Sequence, residues 1–212
     1  MSYQYIFWDN DGVLVDTERH YLRACREALA RYGVILTEAQ FVRHSLIEGR
    51  SVLDLAQGIV VAEADRKALK AWRNQRYNEL LCAEDIALAG VADVLQSLHG
   101  TIGMAVVTSS LREHFATIHQ RTGFLPYFDF WLTREDYTES KPSAEPYLVA
   151  LARCGHRPEE VLVIEDSPRG VQAAKQAGLT CWVIPSRETK TSDFSNADRI
   201  LGHVGEVTSL LL

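Results

Sequence analysis

The feature that most restricts this chain is an alternation along its second half. Short apolar runs take turns there with segments that carry helix start and stop signals. The runs YIFW (5–8), GMAVV (103–107), FDFWL (128–132), VLVIE (161–165) and CWVI (181–184) are too short for helices. They are rich in β-branched and aromatic residues, as buried strands are. SSLREHFATIHQRTG opens on a Ser110-x-x-Glu113 capping box and ends at Gly123. SAEPYLVALARCG has Ser143 as N-cap, Pro146 in its first turn and Gly155 as its stop. SPRGVQAAKQAG has Ser167 as N-cap, Pro168 at the first helical position and Gly178 at its end. From about residue 89 the pattern is β-α-β-α-β, which demands a parallel, doubly wound sheet. The expected fold class is α/β with a Rossmann-like core.

Residues 17–88 break the alternation. Tyr21, Leu22, Cys25, Ala28, Leu29 and Tyr32 share one helical face before Gly33. Thr37-x-x-Gln40 is a capping box for a second helix, and EADRKALKAWRNQRYNELL reads as a third. This stretch is far longer than a crossover needs. It is expected to be an inserted helical domain, with 1–16 and 89–212 forming the core and joints near Asp16–Glu18 and Ala83–Gly90. Asp16 and Glu18 are assigned to the hinge and the helix start. The polar segment SRETKTSDFSNAD (186–198) reads as a surface loop.

Composition narrows the partners. A chain of 212 residues with 47% hydrophobic and 24% charged residues suits a soluble globular protein. Its net charge of -6 and lack of a basic run exclude nucleic acid as the main partner. An anionic substrate must then be held by a few local cations. Cys25, Cys82, Cys154 and Cys181 form no C-x-x-C pair, so neither a zinc cluster nor a disulfide framework is expected. No apolar run approaches membrane-spanning length and no leader segment is visible, so a cytoplasmic monomer without membrane partners is expected.

The densest chemistry lies in FWDNDGVLVDTE (7–18). Read as a calcium loop, it puts Asp9, Asp11, Gly12 and Glu18 at suitable places. Phe7, however, has no oxygen for the first position, and YQYIFW before it reads as a strand where an entering helix is needed. The alternative follows from the strand ends, where open α/β sheets bind ligands. YIFW ends in Asp9-Asn10-Asp11-Gly12, GMAVV in Thr108-Ser109-Ser110, and VLVIE in Glu165-Asp166-Ser167. Lys141-Pro142 follows FDFWL. Together these supply carboxylates, hydroxyls and one ammonium, the parts needed to hold Mg²⁺ and a phosphate. Each has a plainer reading in isolation: a turn, a helix cap, a solvated lysine. In the helical insert, Gly49-Arg50-Ser51 forms a loop, and Arg50 is a candidate to grip a substrate's polar end. A surface arginine is its plain alternative.

The ordered motifs DNDGVLVDTE, VVTSS, SKPSAEPYL and VIEDSPRGVQAAKQAG resemble the haloacid dehalogenase superfamily. The resemblance is to its phosphatases and β-phosphoglucomutase-like members, which carry a helical cap between the first two motifs. It covers about residues 4–185. It implies a Mg²⁺-dependent phosphomonoester hydrolase acting on a small phosphorylated metabolite, such as a sugar phosphate. Asp9 would be the nucleophile and form an aspartyl-phosphate. Asp11 would be the general acid and base. Mg²⁺ would sit on Asp9, Asp166 and the main-chain carbonyl of Asp11, with Glu165 joining through a water or supporting Asp166. Thr108, Ser109 and Lys141 would bind phosphoryl oxygens, and the cap would set specificity. Asp11 speaks against the dehalogenase branch. Phosphomutase activity is the alternative, although the mutase's histidine in the first cap helix is matched here by Tyr21, with His20 adjacent. A phospho-signalling receiver is the non-enzymatic alternative, and both the insert and the Asp9-x-Asp11 order count against it.

Overall fold

The structure is a computed structural model that describes residues 3–212. Six strands form one sheet: β1 (Tyr5–Trp8), β2 (Gly103–Val107), β3 (Phe130–Leu132), β4 (Val161–Glu165), β5 (Thr180–Val183) and β6 (Arg199–Ile200). Their order is β3-β2-β1-β4-β5-β6, and every pairing is parallel. Strand periodicity divides the core into two layers. Ile6, Trp8, Met104, Val106, Leu162 and Ile164 pack on one side, beneath α4 (Val91–Leu98), α5 (Arg112–Thr122) and α8 (Gly205–Leu211). Tyr5, Phe7, Ala105, Val107, Val161 and Val163 pack on the other, beneath α6 (Glu145–Cys154) and α7 (Pro168–Gln176). Both faces are covered, which is why these strands read as continuous apolar runs.

Between β1 and β2 the chain is helical. It forms α1 (Glu18–Ala30), a short α2 (Glu38–Phe41) running into a π-turn at Val42–Ile47, a 3₁₀ turn at Val52–Ala56, and α3 (Glu63–Ala83). The Thr37–Gln40 capping box is formed. Leu22, Cys25, Leu29, Phe41, Leu46 and Leu69 make an apolar cluster of their own. The two connections to the sheet lie side by side. Val15 bridges Ala87 in antiparallel fashion, Asp16 N–H donates to Ile86 O at 2.8 Å, and Leu88 N–H donates to Leu14 O at 3.1 Å.

Several local expectations are corrected. The Ser110-x-x-Glu113 box does not form, because Ser110 Oγ donates instead to Asp11 Oδ2 at 2.8 Å. The Glu135 carboxylate caps α5 in its place, accepting from Arg112 N–H at 3.0 Å. Ser143 sits one residue outside the helix cap, where its Oγ accepts from Glu145 N–H at 3.2 Å. Ser167 caps α7 as expected, accepting from Gly170 N–H at 3.2 Å. β3 starts two residues late, since a 3₁₀ turn over Leu125–Tyr127 precedes it. The segment 186–198 is not merely a surface loop: Thr189 is fully buried and its hydroxyl donates to Asp166 O at 2.7 Å. β6, α4 and α8 were not anticipated. β6 has two exposed residues, and no side chain caps α4 or α8. Among the described residues no helix is long and apolar enough to cross a membrane.

Candidate active site

The sheet order makes the site. β1 lies between β2 and β4, with Trp8 level with both Val106 and Ile164. The segments after these strands therefore emerge together. Asp9 N–H extends the ladder to Ile164 O at 2.9 Å, and the chain then turns sharply. Asn10 O accepts the N–H groups of Val13, Leu14 and Val15. Gly12 has φ 86°, and a Cβ there would fall inside the Asp166 carboxylate. A side chain is excluded at Gly12 by backbone conformation and by space alike.

Lys141 organises the floor. It is 3% exposed, and its Nζ donates to Asp9 Oδ1 at 2.7 Å, Glu165 Oε1 at 2.6 Å and Val107 O at 2.8 Å. All three ammonium donors are used. Burial works against its charge, but the two carboxylates outweigh burial and hold its pKa above the usual lysine value. Glu165 is completely buried. Its Oε1 also accepts from Tyr147 Oη at 2.7 Å, and its Oε2 accepts from Asp166 N–H, Ser167 N–H and Ser167 Oγ. Burial raises the Glu165 pKa, yet Lys141 and these donors outweigh it and leave it lowered. Asp9 is pushed up to about 7, by burial first, with Glu165 and Asp11 adding and Lys141 opposing. Burial and then the charges of Asp9 and Glu165 push Asp166 well above the carboxylate range.

Asp9, Glu165 and Asp166 bring carboxylate oxygens within 4.8 Å of one another. Three buried acids against one ammonium, all hard oxygen donors, make a set that fits Mg²⁺. Asp9 and Asp166 line the cavity above the sheet, whereas Glu165 does not. With both its oxygens bonded, Glu165 is suited to supporting Lys141 and the Asp166 backbone.

Asp11 is held by three hydroxyls. Thr17 Oγ1 donates to its Oδ1, while Thr108 Oγ1 at 3.2 Å and Ser110 Oγ at 2.8 Å donate to its Oδ2. Tyr137 Oη donates to Thr108 O at 2.7 Å and anchors that strand end. Ser109 lines the same cavity, which has a volume of about 510 Å³.

The helical insert closes the cavity from above. Gly49 packs over Lys141, where an added Cβ would lie 3.2 Å from the lysine's carbonyl oxygen. Arg50 lines the cavity, but its side chain is 59% exposed and pairs with Glu48 at 3.4 Å. The structure places Asp9, Asp11, Arg50, Thr108, Ser109, Lys141 and Asp166 around one cavity, with Glu165 behind its wall. It also adds some. Glu18 is not only a helix start: its side chain lines the cavity, and burial together with Asp11 pushes its pKa up to about 8. Its place in a first helical turn gave it an ordinary explanation. Arg73, Tyr77 and Arg169 line the cavity too. Arg73 carried a readable signal, since it falls on the buried face of α3 with Leu69, Tyr77 and Leu80. Tyr21 lines the cavity while His20 does not; His20 lies 3.7 Å from Glu84 near the connections.

A parallel, doubly wound α/β sheet thus carries an acid cluster and a buried lysine at its strand ends, beneath a helical insert. Residues 6–184 match the family described as haloacid dehalogenase-like hydrolase. The fructose-1-phosphate phosphatase YqaB of Escherichia coli (strain K12) is 29% identical over 84% of this chain and 94% of its own. A phosphorylated carbohydrates phosphatase of Thermotoga maritima is 31% identical over 82% of this chain and 81% of its own. Among solved structures, CbbY from Rhodobacter sphaeroides in complex with phosphate superposes with a TM-score of 0.82 at 25% identity. That superposition covers 97% of this chain and 96% of CbbY. The chain belongs to the haloacid dehalogenase-like hydrolases, and it is an enzyme of the phosphatase kind.

Proposed function

We propose that this enzyme is a Mg²⁺-dependent phosphomonoester hydrolase of sugar-phosphate-sized metabolites that works through an aspartyl-phosphate on Asp9. The observation that carries the reading is the floor of the cavity, where Lys141 grips Asp9 Oδ1 at 2.7 Å beside Asp166. The sugar-phosphate class is supported by the relatives named for fructose-1-phosphate and for phosphorylated carbohydrates. Four free cysteines suit a reducing, cytoplasmic setting.

In this reading the Asp9 carboxylate attacks phosphorus, and the bond from phosphorus to the leaving oxygen breaks as the Asp9–phosphoryl bond forms. Asp11 gives its proton to the leaving oxygen, then takes one from the water that cleaves the phosphoenzyme and frees phosphate. Its three hydroxyl partners orient the carboxyl group. Lys141, Thr108 and Ser109 bind the phosphoryl oxygens as charge spreads over them. Asp9, Asp166 and the main-chain carbonyl of Asp11 would hold Mg²⁺, whose charge would offset the repulsion between nucleophile and anionic substrate. Residues 17–88 act as the cap that selects substrate, and 1–16 with 89–212 as the core. Hydrolysis is favoured over a mutase reaction because Tyr21 occupies the cavity and His20 stays outside it.

The test is rapid-quench trapping of radiolabelled phosphoenzyme. Wild-type protein should label and Asp9→Asn should not. Asp11→Asn should label and hold its label, its rate of labelling falling about 10²–10⁴-fold with alkyl phosphates and little with aryl phosphates. Normal labelling of Asp9→Asn would overturn the assignment.

A further inference from the structure

The cavity holds positive charge that the proposed chemistry does not use. In a chain of net charge -6, Arg73 is buried to 5% exposure on α3, yet among the described residues its side-chain partners include no carboxylate. Its guanidinium bonds Tyr21 Oη and Asn74 Oδ1 and approaches Cys25 Sγ at 3.8 Å, and it lies 4.7 Å over the Tyr21 ring. Neutral partners do not compensate a buried charge. Arg169 is similar. Its Nε is buried with no hydrogen-bond partner, and it forms no ion pair among the described residues. It stands in the first turn of α7, where the helix's own positive end disfavours a cation. Both arginines line the same cavity, with Tyr21 on its wall as well. Glu18 lines that cavity too, and forms no ion pair with either among the described residues. Each arginine offers up to five donors in a planar fork, a geometry matched by carboxylate and phosphate.

We propose that Arg73 and Arg169 form a subsite for a second anionic group, a phosphate or carboxylate at the end of the substrate away from the phosphoryl group transferred to Asp9. The substrate class is then a phosphomonoester that is itself an acid or a second phosphate ester. The proposal rests on the phosphatase reading for the position of the first phosphoryl group.

Binding without turnover tests it. Asp9→Asn protein with Mg²⁺ is titrated calorimetrically with three probes: glucose-6-phosphate, with a neutral far end, 6-phosphogluconate, with a carboxylate, and glucose-1,6-bisphosphate. The two doubly anionic probes should bind more tightly than glucose-6-phosphate, and the larger gain identifies the group. Adding Arg169→Leu or Arg73→Leu should reduce that preference by about 10- to 100-fold, the range for losing a charged hydrogen-bonded contact. Arg73 is buried and its variant can fail to fold; half-buried Arg169 then carries the test alone. Equal affinity for all three probes, or a preference untouched in the folded variants, overturns the proposal. Failure of the wild-type enzyme to hydrolyse any phosphomonoester would instead refute the phosphatase reading, and the binding preference would remain measurable.

Discussion

Replacing Asp166 by Asn should stabilise the metal-free protein and remove its response to Mg²⁺, two opposite effects of one substitution. Asp166 is 4% exposed, and none of the three Lys141 donors reaches it. Its oxygens lie within 4.8 Å of those of Asp9 and Glu165, and at an effective dielectric constant of about 20 each such pair repels by roughly 3–4 kcal/mol. The side chain escapes part of this by keeping a proton, which itself costs free energy at neutral pH. Asparagine has nearly the same shape and no charge, so in EDTA the variant should gain about 1–3 kcal/mol. For a chain of this size that is roughly 2–4 °C in Tm per kcal/mol. Mg²⁺ acts against that gain. Hundredfold saturation should add about 2.7 kcal/mol to the wild type, whereas the variant offers a neutral amide and should gain little. Thermal unfolding followed by circular dichroism, in EDTA and in saturating Mg²⁺, reads both effects. A variant less stable than wild type in EDTA would refute the repulsion argument, and a wild-type Tm indifferent to Mg²⁺ would refute the metal site.

Three further outcomes are expected. Gly170→Ala should destabilise by about 2–3 kcal/mol in urea denaturation because its Cβ would overlap the Glu165 carboxylate, although alanine is ordinarily preferred in a helix by about 1 kcal/mol; unchanged stability would show that Glu165 has room to move. With its folded pKa near 7, Asp9 binds its proton more tightly folded than unfolded, so in EDTA the wild type should lose stability relative to Asp9→Asn as pH rises from about 4 to 7. The buried histidines, His119 among them with its pKa lowered by burial to about 4, act with the opposite sign and cancel in that comparison; a flat difference would place Asp9 outside the cluster. Arg50→Ala should raise KM and leave kcat nearly unchanged, as loss of uniform binding does, and an unaltered KM on the best substrate would remove Arg50 from the site.

What the sequence by itself determined is local and repetitive. β1 and β4 were legible because strands covered on both faces must be apolar throughout, and α7 because Ser167 and Pro168 mark its start in one stretch. The acids at Asp9, Asp11 and Asp166 were legible because a parallel sheet sends its strand ends to one side. The tertiary structure decided what each polar group is used for. Ser110 had the spacing of a helix cap, but its hydroxyl goes to Asp11, 99 residues earlier in the chain. Thr189 lies in a polar run that reads as solvent-exposed, yet it is buried against the Asp166 backbone. Glu165 stands among the buried acids that could hold a metal, and Lys141, Tyr147 and Ser167 from distant and neighbouring segments donate to its two oxygens. A hydroxyl or carboxylate bonds whichever partner the fold brings within about 3 Å, and across such chain separations that partner is set by packing rather than by neighbours in sequence.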